Sequence, residues 1–343
     1  MTEIAAETAR SLLQEVVEIR SVSGSERACA ERIQAFFEEN DREAWIDEAG
    51  NLRAPADDSV LLTSHMDTVP GEIPVRVEDD VLWGRGSVDA KGPLVAMAIA
   101  AVKAGVSFVG VVEEETTSAG ARHLVENRAA PDAVINGEPS GWDAITVGYR
   151  GILRGEYTAR TDVGHTSRPE PNAIQQAIAW WSGVEETFAE GDCPTVEQVT
   201  PKPLEMSGGT SEDGFDFEAL IDAQFRIPPG KSVEEVRETV EGITDGRIDW
   251  SDAIEPVMES PRNPVATALR RGIRSLDGDP SHLRKTGTSD MNVFAQAWDV
   301  PMATYGPGDS SLDHTPNEHL PLAAFDSAIE VLTEAADSLQ EGE

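Results

Sequence analysis

Apolar positions in the first part of the chain switch repeatedly between two periods. Ala5–Ile19 and Ser25–Glu39 carry apolar residues at helical spacing, whereas Ser59–Ser64 and Val75–Trp83 are short strand-like runs. The alternation continues with a helix over Ala90–Lys103, a strand over Ser107–Val112, a helix near Ala119–Asn127, and strands at Asp132–Asn136 and Asp143–Val147. Such a pattern predicts the α/β class: a largely parallel central sheet covered by helices.

From Arg150 the order changes. A long strand, Ile152–Thr161, precedes a helix over Asn172–Phe188 and strands at Thr195–Glu205 and Phe217–Arg226. A helix opened by the capping box Ser232–Glu235 and a strand near Arg247–Trp250 follow. This βαββαβ order predicts a small α+β domain inserted into the first. The final segment returns to α/β alternation, with a helix at Pro264–Leu276, a strand near His282–Lys285, a helix at Asp290–Ala297, a strand at Met302–Tyr305 and a closing helix from Leu320. The expected division is a catalytic scaffold of residues 1–149 and 261–343 around an insert of residues 150–260.

A length of 343 residues accommodates those two domains. The net charge of -36, from 63 acids against 27 bases, argues against nucleic acid or anionic lipid as a partner. It also suggests life in concentrated salt, since at about 1 M the Debye length falls to about 3 Å and self-repulsion is screened. An acidic protein of ordinary habitat is the alternative, and a stability titration with KCl separates the two. Cys29 and Cys193 show no CxxC spacing, so neither a disulfide framework nor a thiolate zinc site is expected. The acidic, amphipathic N-terminal stretch does not read as a signal peptide, and no later stretch reaches the ~20 apolar residues of a membrane span. A cytoplasmic location is the expectation.

Candidate chemistry begins at His65, which follows the apolar run Val60–Leu62 and stands two residues before Asp67, close enough for that carboxylate to orient the imidazole. Alone, such a pair is far more often a helix cap or a surface turn than a metal site. Asp89, Glu115 and Glu138 follow at nearly equal intervals, each about one strand plus its crossover helix, so successive units could deliver one ligand each to the same sheet edge. Imidazole and carboxylate donors suit zinc, cobalt or manganese. The run Glu113–Glu115 is either a solvated acidic turn or a site where a cation or proton relieves repulsion between adjacent carboxylates. His314 lies in a turn-rich loop before the last helix, with His319 as its rival at the expected helix start. His165, in the insert, reads as either a turn residue or an active-site donor, while His123 and His282 read as structural.

Together the stretches SHMDTVP, GRGSVDAKG, EEETTSAGAR, GEPS, GHTSRP, RIPPG and DHTPNEHL resemble, in order and over nearly the whole chain, the two-metal deacylase family of acetylornithine deacetylase, succinyl-diaminopimelate desuccinylase and aminoacylases. The resemblance implies that His65, Asp89 and Glu138 hold one divalent ion and Asp89, Glu115 and His314 the other. Zn2+ is the first expectation, with Co2+ or Mn2+ as alternatives, and Asp89 bridges the pair. Glu114 then matches the general base and Asp67 the residue that orients His65. A cis peptide is implied after Asp89. His165 matches a histidine that crosses from a partner subunit to the oxyanion, which implies a homodimer through the insert. Arg226 and the stretch containing Lys285, Thr286, Gly287 and Thr288 fall where the family recognises a substrate carboxylate.

Within that family, INGEPSGWDAITVGYRG, RKTGTSDMNVF and YGPGDSSLDHTPNEHL resemble the hydrolases of carrier-protein-linked lysine and ornithine synthesis. These release lysine or ornithine from the C-terminal glutamate of a small acidic amino-group carrier protein. Acetylornithine deacetylase or a related small-molecule deacylase or dipeptidase is the enzymatic alternative. A non-catalytic binding protein would be expected to have lost ligands or base, whereas every matched position is occupied.

Overall fold

The computed structural model describes residues 4–163, 169–189, 191, 193–243 and 246–342. Along the chain, helices α1 (Ala6–Glu18) and α2 (Arg27–Glu39) precede strands β1 (Trp45–Ile46), β2 (Leu52–Ala54), β3 (Asp57–His65), β4 (Arg76–Glu78) and β5 (Val81–Trp83). Next come α3 (Lys91–Ala104), β6 (Val106–Val111), α4 (Ala119–Asn127), β7 (Val134–Gly137) and β8 (Gly141–Tyr149). The middle of the chain forms β9 (Gly151–Asp162), α5 (Ala173–Thr187), β10 (Thr200–Thr210), β11 (Asp216–Ile227), α6 (Val233–Glu241), β12 (Arg247–Ile254) and β13 (Val257–Met258). The chain closes with α7 (Pro264–Ser275), β14 (Ser281–Lys285), α8 (Asp290–Ala297), β15 (Met302–Gly306), β16 (His319–Pro321) and α9 (Leu322–Glu341).

These elements gather into two compact units. The first comprises Met1–Val147, Glu259–Arg284 and Ser289–Glu343, and the second Gly148–Met258 with Lys285–Thr288. The first is the mixed α/β scaffold that the alternating periods imply. Its sheet runs β1-β2-β6-β3-β7-β15-β8, and at its centre β6, β3, β7 and β15 are all parallel. Strands buried on both faces are near-continuously apolar, as the buried run from Val60 to Met66 shows. Helix α3 has no polar face. Every residue from Lys91 to Val102 is buried, and the helix packs against α1, α9 and the sheet.

The second unit has the order strand, helix, two strands, helix, strand, with a four-stranded antiparallel sheet β10-β11-β9-β12. Helix α5 is opened by the Asn172–Gln175 capping box and α6 by Ser232–Glu235. The core of this unit joins Leu153 and Tyr157 to Trp180, Ile221, Phe225 and Val240.

Three local expectations differ from what is observed. The run Val75–Trp83 is two short strands, because Asp79 and Asp80 at φ 51° and 61° make a turn between them. The chain from Thr195 first makes a short 3-10 turn, and the strand begins only at Thr200. The closing helix starts at Leu322, so His319 sits on β16, where its half-buried ring stacks on Trp83 at 4.3 Å.

Candidate metal centre

The parallel strands decide where the candidate ligands emerge. His65 ends β3, paired in register with Val111 of β6 on one side, while its neighbour Ser64 pairs with Gly137 of β7 on the other. The chain leaving β6 reaches Glu113, Glu114 and Glu115 within four residues, and the chain leaving β7 reaches Glu138 at once. Asp89 precedes α3, and His314 lies in the loop after β15, the next parallel strand. His65, the Glu113–Glu115 run, Glu138 and His314 therefore come from segments that leave the carboxyl ends of adjacent parallel strands, where α/β sheets place their ligands, while Asp89 comes from just before α3.

The side chains converge. His65 Nε2 lies 3.2 Å from Asp89 Oδ1 and 3.9 Å from Glu138 Oε1. On the other side of the same carboxylate, His314 Nε2 lies 3.1 Å from Asp89 Oδ2 and 3.1 Å from Glu115. Ligand atoms of His65, Asp89 and Glu115 lie within 4.8 Å of one another, and so do those of His65, Glu114 and Glu138. Glu114 thus stands among the donors rather than apart from them. The peptide between Asp89 and Ala90 is cis.

Asp67 organises both halves of this arrangement. Its backbone carbonyl lies 3.0 Å from His65 Nδ1, and its carboxylate accepts the backbone N–H groups of Glu114 and Glu115, each at 3.1 Å, and the Ser23 hydroxyl at 2.7 Å. Three donors on one fully buried carboxylate hold the acidic turn in place. Glu26 assists from α1–α2, accepting the N–H of Glu113 at 3.2 Å.

Electrostatics bear the mark of crowded carboxylates. Burial, and then repulsion from Glu138, holds Glu114 well above the usual carboxylate range. Burial likewise raises Glu138, against the pull of His65. Asp290, at the start of α8, is pushed up to about 7 by burial. Burial would also raise Asp89, but hydrogen bonds from His314 and His65 win and depress it. Those to Asp89 and Glu115 lift His314 to about 10. Four buried or half-buried carboxylates beside two imidazoles form a donor set that suits hard or borderline divalent cations, whose charge would relieve the repulsion among the carboxylates.

The remaining sequence candidates divide. His165 lies outside the described residues. In the second unit Arg226 Nη1 donates to Thr288 Oγ1 at 3.3 Å. The segment Lys285–Thr288 is held by Arg150, whose guanidinium donates to the Thr286 carbonyl at 2.8 Å and to Thr200 Oγ1 at 2.8 Å. Arg150, Glu26 and Glu318, whose buried carboxylate accepts the Val88 and Asp89 backbone N–H groups, are contributors that pattern reading missed. A buried charge among charged residues leaves no periodic signal, and only the Glu318 position within the matched stretch DHTPNEHL could have pointed to it.

Residues 61–338 match the model of a family described as Peptidase family M20/M25/M40. A LysW-lysine hydrolase of Deinococcus radiodurans is 40% identical, over 98% of this chain and 98% of its own. A Thermococcus kodakarensis protein with the provisional name LysW-lysine/LysW-ornithine hydrolase is 36% identical, over 98% of this chain and 94% of its own. Among solved structures, Bacillus subtilis YxeP, described as a dinuclear metal binding peptidase from the M20 family, superposes with a TM-score of 0.76 at 16% identity, covering 98% of each chain.

Proposed function

Because the chain belongs to peptidase family M20/M25/M40, we propose that it is a two-metal amidohydrolase that releases lysine or ornithine from the C-terminal glutamate of a small acidic amino-group carrier protein. The observation that carries the reading is the Asp89 carboxylate, which presents one oxygen to His65 at 3.2 Å and the other to His314 at 3.1 Å. In this reading His65, Glu138 and Asp89 hold one cation and Asp89, Glu115 and His314 the other. Zn2+ suits the imidazole and carboxylate donors best, with Co2+ or Mn2+ as alternatives.

Bound there, the pair would supply Lewis-acid polarisation of the scissile carbonyl and acidify the attacking water. The protein's own part is proton movement and alignment. Glu114 takes a proton from the water and returns it to the leaving amine, a role that suits a carboxyl held above the usual carboxylate range by burial. Asp67 keeps His65 and the Glu114–Glu115 backbone in place. Arg226 and the segment Lys285, Thr286, Gly287 and Thr288 bind a substrate carboxylate. His165 of a second copy donates to the oxyanion.

A homodimer is part of this proposal. Strand β10 ends the four-stranded sheet, and along that edge Leu204 and Met206 are about half exposed. A long uncovered edge strand is a ready surface for a second copy. No described helix is long and apolar enough to cross a membrane. A cytoplasmic setting is part of the proposal, and the acid excess supports a salt-rich one.

The deciding assay offers the enzyme carrier-lysine, carrier-ornithine and free N-acetylornithine. Cleavage of a carrier conjugate with kcat/KM far above that for N-acetylornithine is expected. Preference for the free acetylated amino acid would replace this reading with acetylornithine deacetylation.

A further inference from the structure

Glu318 is fully buried, four residues after His314. Its Oε1 accepts two backbone N–H groups, from Val88 at 2.9 Å and Asp89 at 3.1 Å, and its Oε2 accepts Arg85 Nη1 at 2.7 Å. The same carboxylate thus ends the loop that carries His314 and grips the backbone that carries Asp89. We propose that Glu318 is a positioning residue, fixing the spacing between Asp89 and His314 and so setting the affinity for the cation that these two would share with Glu115. The inference rests on the two-cation reading above.

The loop is built mostly of turns. His314 is about half exposed and its backbone stands at φ 60°, and between Gly306 and His319 only a short 3-10 turn interrupts the turns. What fixes the loop lies at its ends and along the Gly84–Asp89 segment. Gly308 permits close approach, since a Cβ there would meet Val88 Cγ1 at 2.8 Å. Beyond Glu318, β16 pairs with β5, His319 opposite Trp83, and the Gly84 N–H reaches the Glu318 carbonyl at 3.4 Å.

Removing the carboxylate would leave the Val88 and Asp89 N–H groups buried without acceptors and Arg85 without its counter-charge, conditions that a backbone relieves by moving. His65 and Glu138 stand differently. They leave β3 and β7, which pair directly with each other, so their spacing does not pass through Glu318. The effect should therefore be lopsided, greater for the cation beside His314.

The test titrates chelator-treated protein with Co2+, followed by calorimetry and visible absorption. Glu318→Met keeps the volume and removes the acceptors, whereas Glu318→Gln keeps one acceptor oxygen. Wild type is expected to bind two ions. Glu318→Met should weaken one of them about 10- to 100-fold, the range for residues that orient metal ligands, and leave the other within about threefold. Glu318→Gln should recover most of the loss. If Glu318→Met does not fold, Arg85→Met should show the same lopsided loss at smaller size. Two unchanged affinities, or two equal losses, would overturn the positioning role while leaving the two-cation reading intact. Fewer than two ions on wild type would overturn both.

Discussion

At the scale of single residues, Asp89 and Glu114 divide the work. Asp89 joins the two imidazoles, so its loss should disperse the cluster, whereas Glu114→Gln should preserve cation binding and reduce turnover by about 10²- to 10⁴-fold, the usual share of acid–base assistance. Metal content measured beside kcat checks this, and full activity in the variant would remove Glu114 from proton transfer. A second expectation follows from the titrating groups. In chelator-treated protein Glu114 and Glu138 stand above the ordinary 4.5, Asp290 stands at about 7, and His314 stands at about 10. The folded state then binds more protons than the unfolded chain from about pH 5 to about pH 10, so its stability should fall as pH rises through that window. Denaturant unfolding at several pH values reads the slope, and a stability that rises with pH would contradict it. The clustering of His65, Asp89, Glu115 and Glu138 was legible because imidazole and carboxylate at repeated intervals form a pattern, and the family resemblance added His314. Glu318 and Arg150 were not, because what they hold is backbone brought near only by folding.

At the scale of elements, the central strands were legible from their apolar runs, and the elements of the second unit from a changed period and the capping box Ser232–Glu235. The short strands β1, β2 and β16 were not, being two or three residues long and dependent on a neighbour for their pairing. The second unit's sheet carries a feature that no one-dimensional pattern displays. Glu205, Asp222, Glu156 and Asp249 stand directly opposite one another on β10, β11, β9 and β12, forming a row of four carboxylates across the sheet. Like charges in register destabilise a sheet by up to about 1 kcal/mol per pair. Asp222→Asn, which relieves two of these contacts, should therefore raise the melting temperature in dilute buffer. At about 2 M KCl the gain should vanish, because screening already removes the repulsion. A gain that persists in high salt would mean that packing, not charge, is responsible.

At the scale of the whole molecule, a charge of -36 sets the conditions under which everything else operates. An acidic enzyme and an acidic carrier repel one another in dilute buffer, so carrier cleavage should speed up with ionic strength, chiefly through KM. Turnover of a small neutral substrate should change far less. The metal pair itself is the claim on which the chemistry depends. It is tested most directly by assaying carrier-ornithine hydrolysis while divalent ions are removed from the enzyme and then restored, with metal content measured at each step. Two ions per chain, with hydrolysis vanishing on removal and returning on restoration, is the predicted result; hydrolysis that continues unchanged after both ions are gone would contradict it.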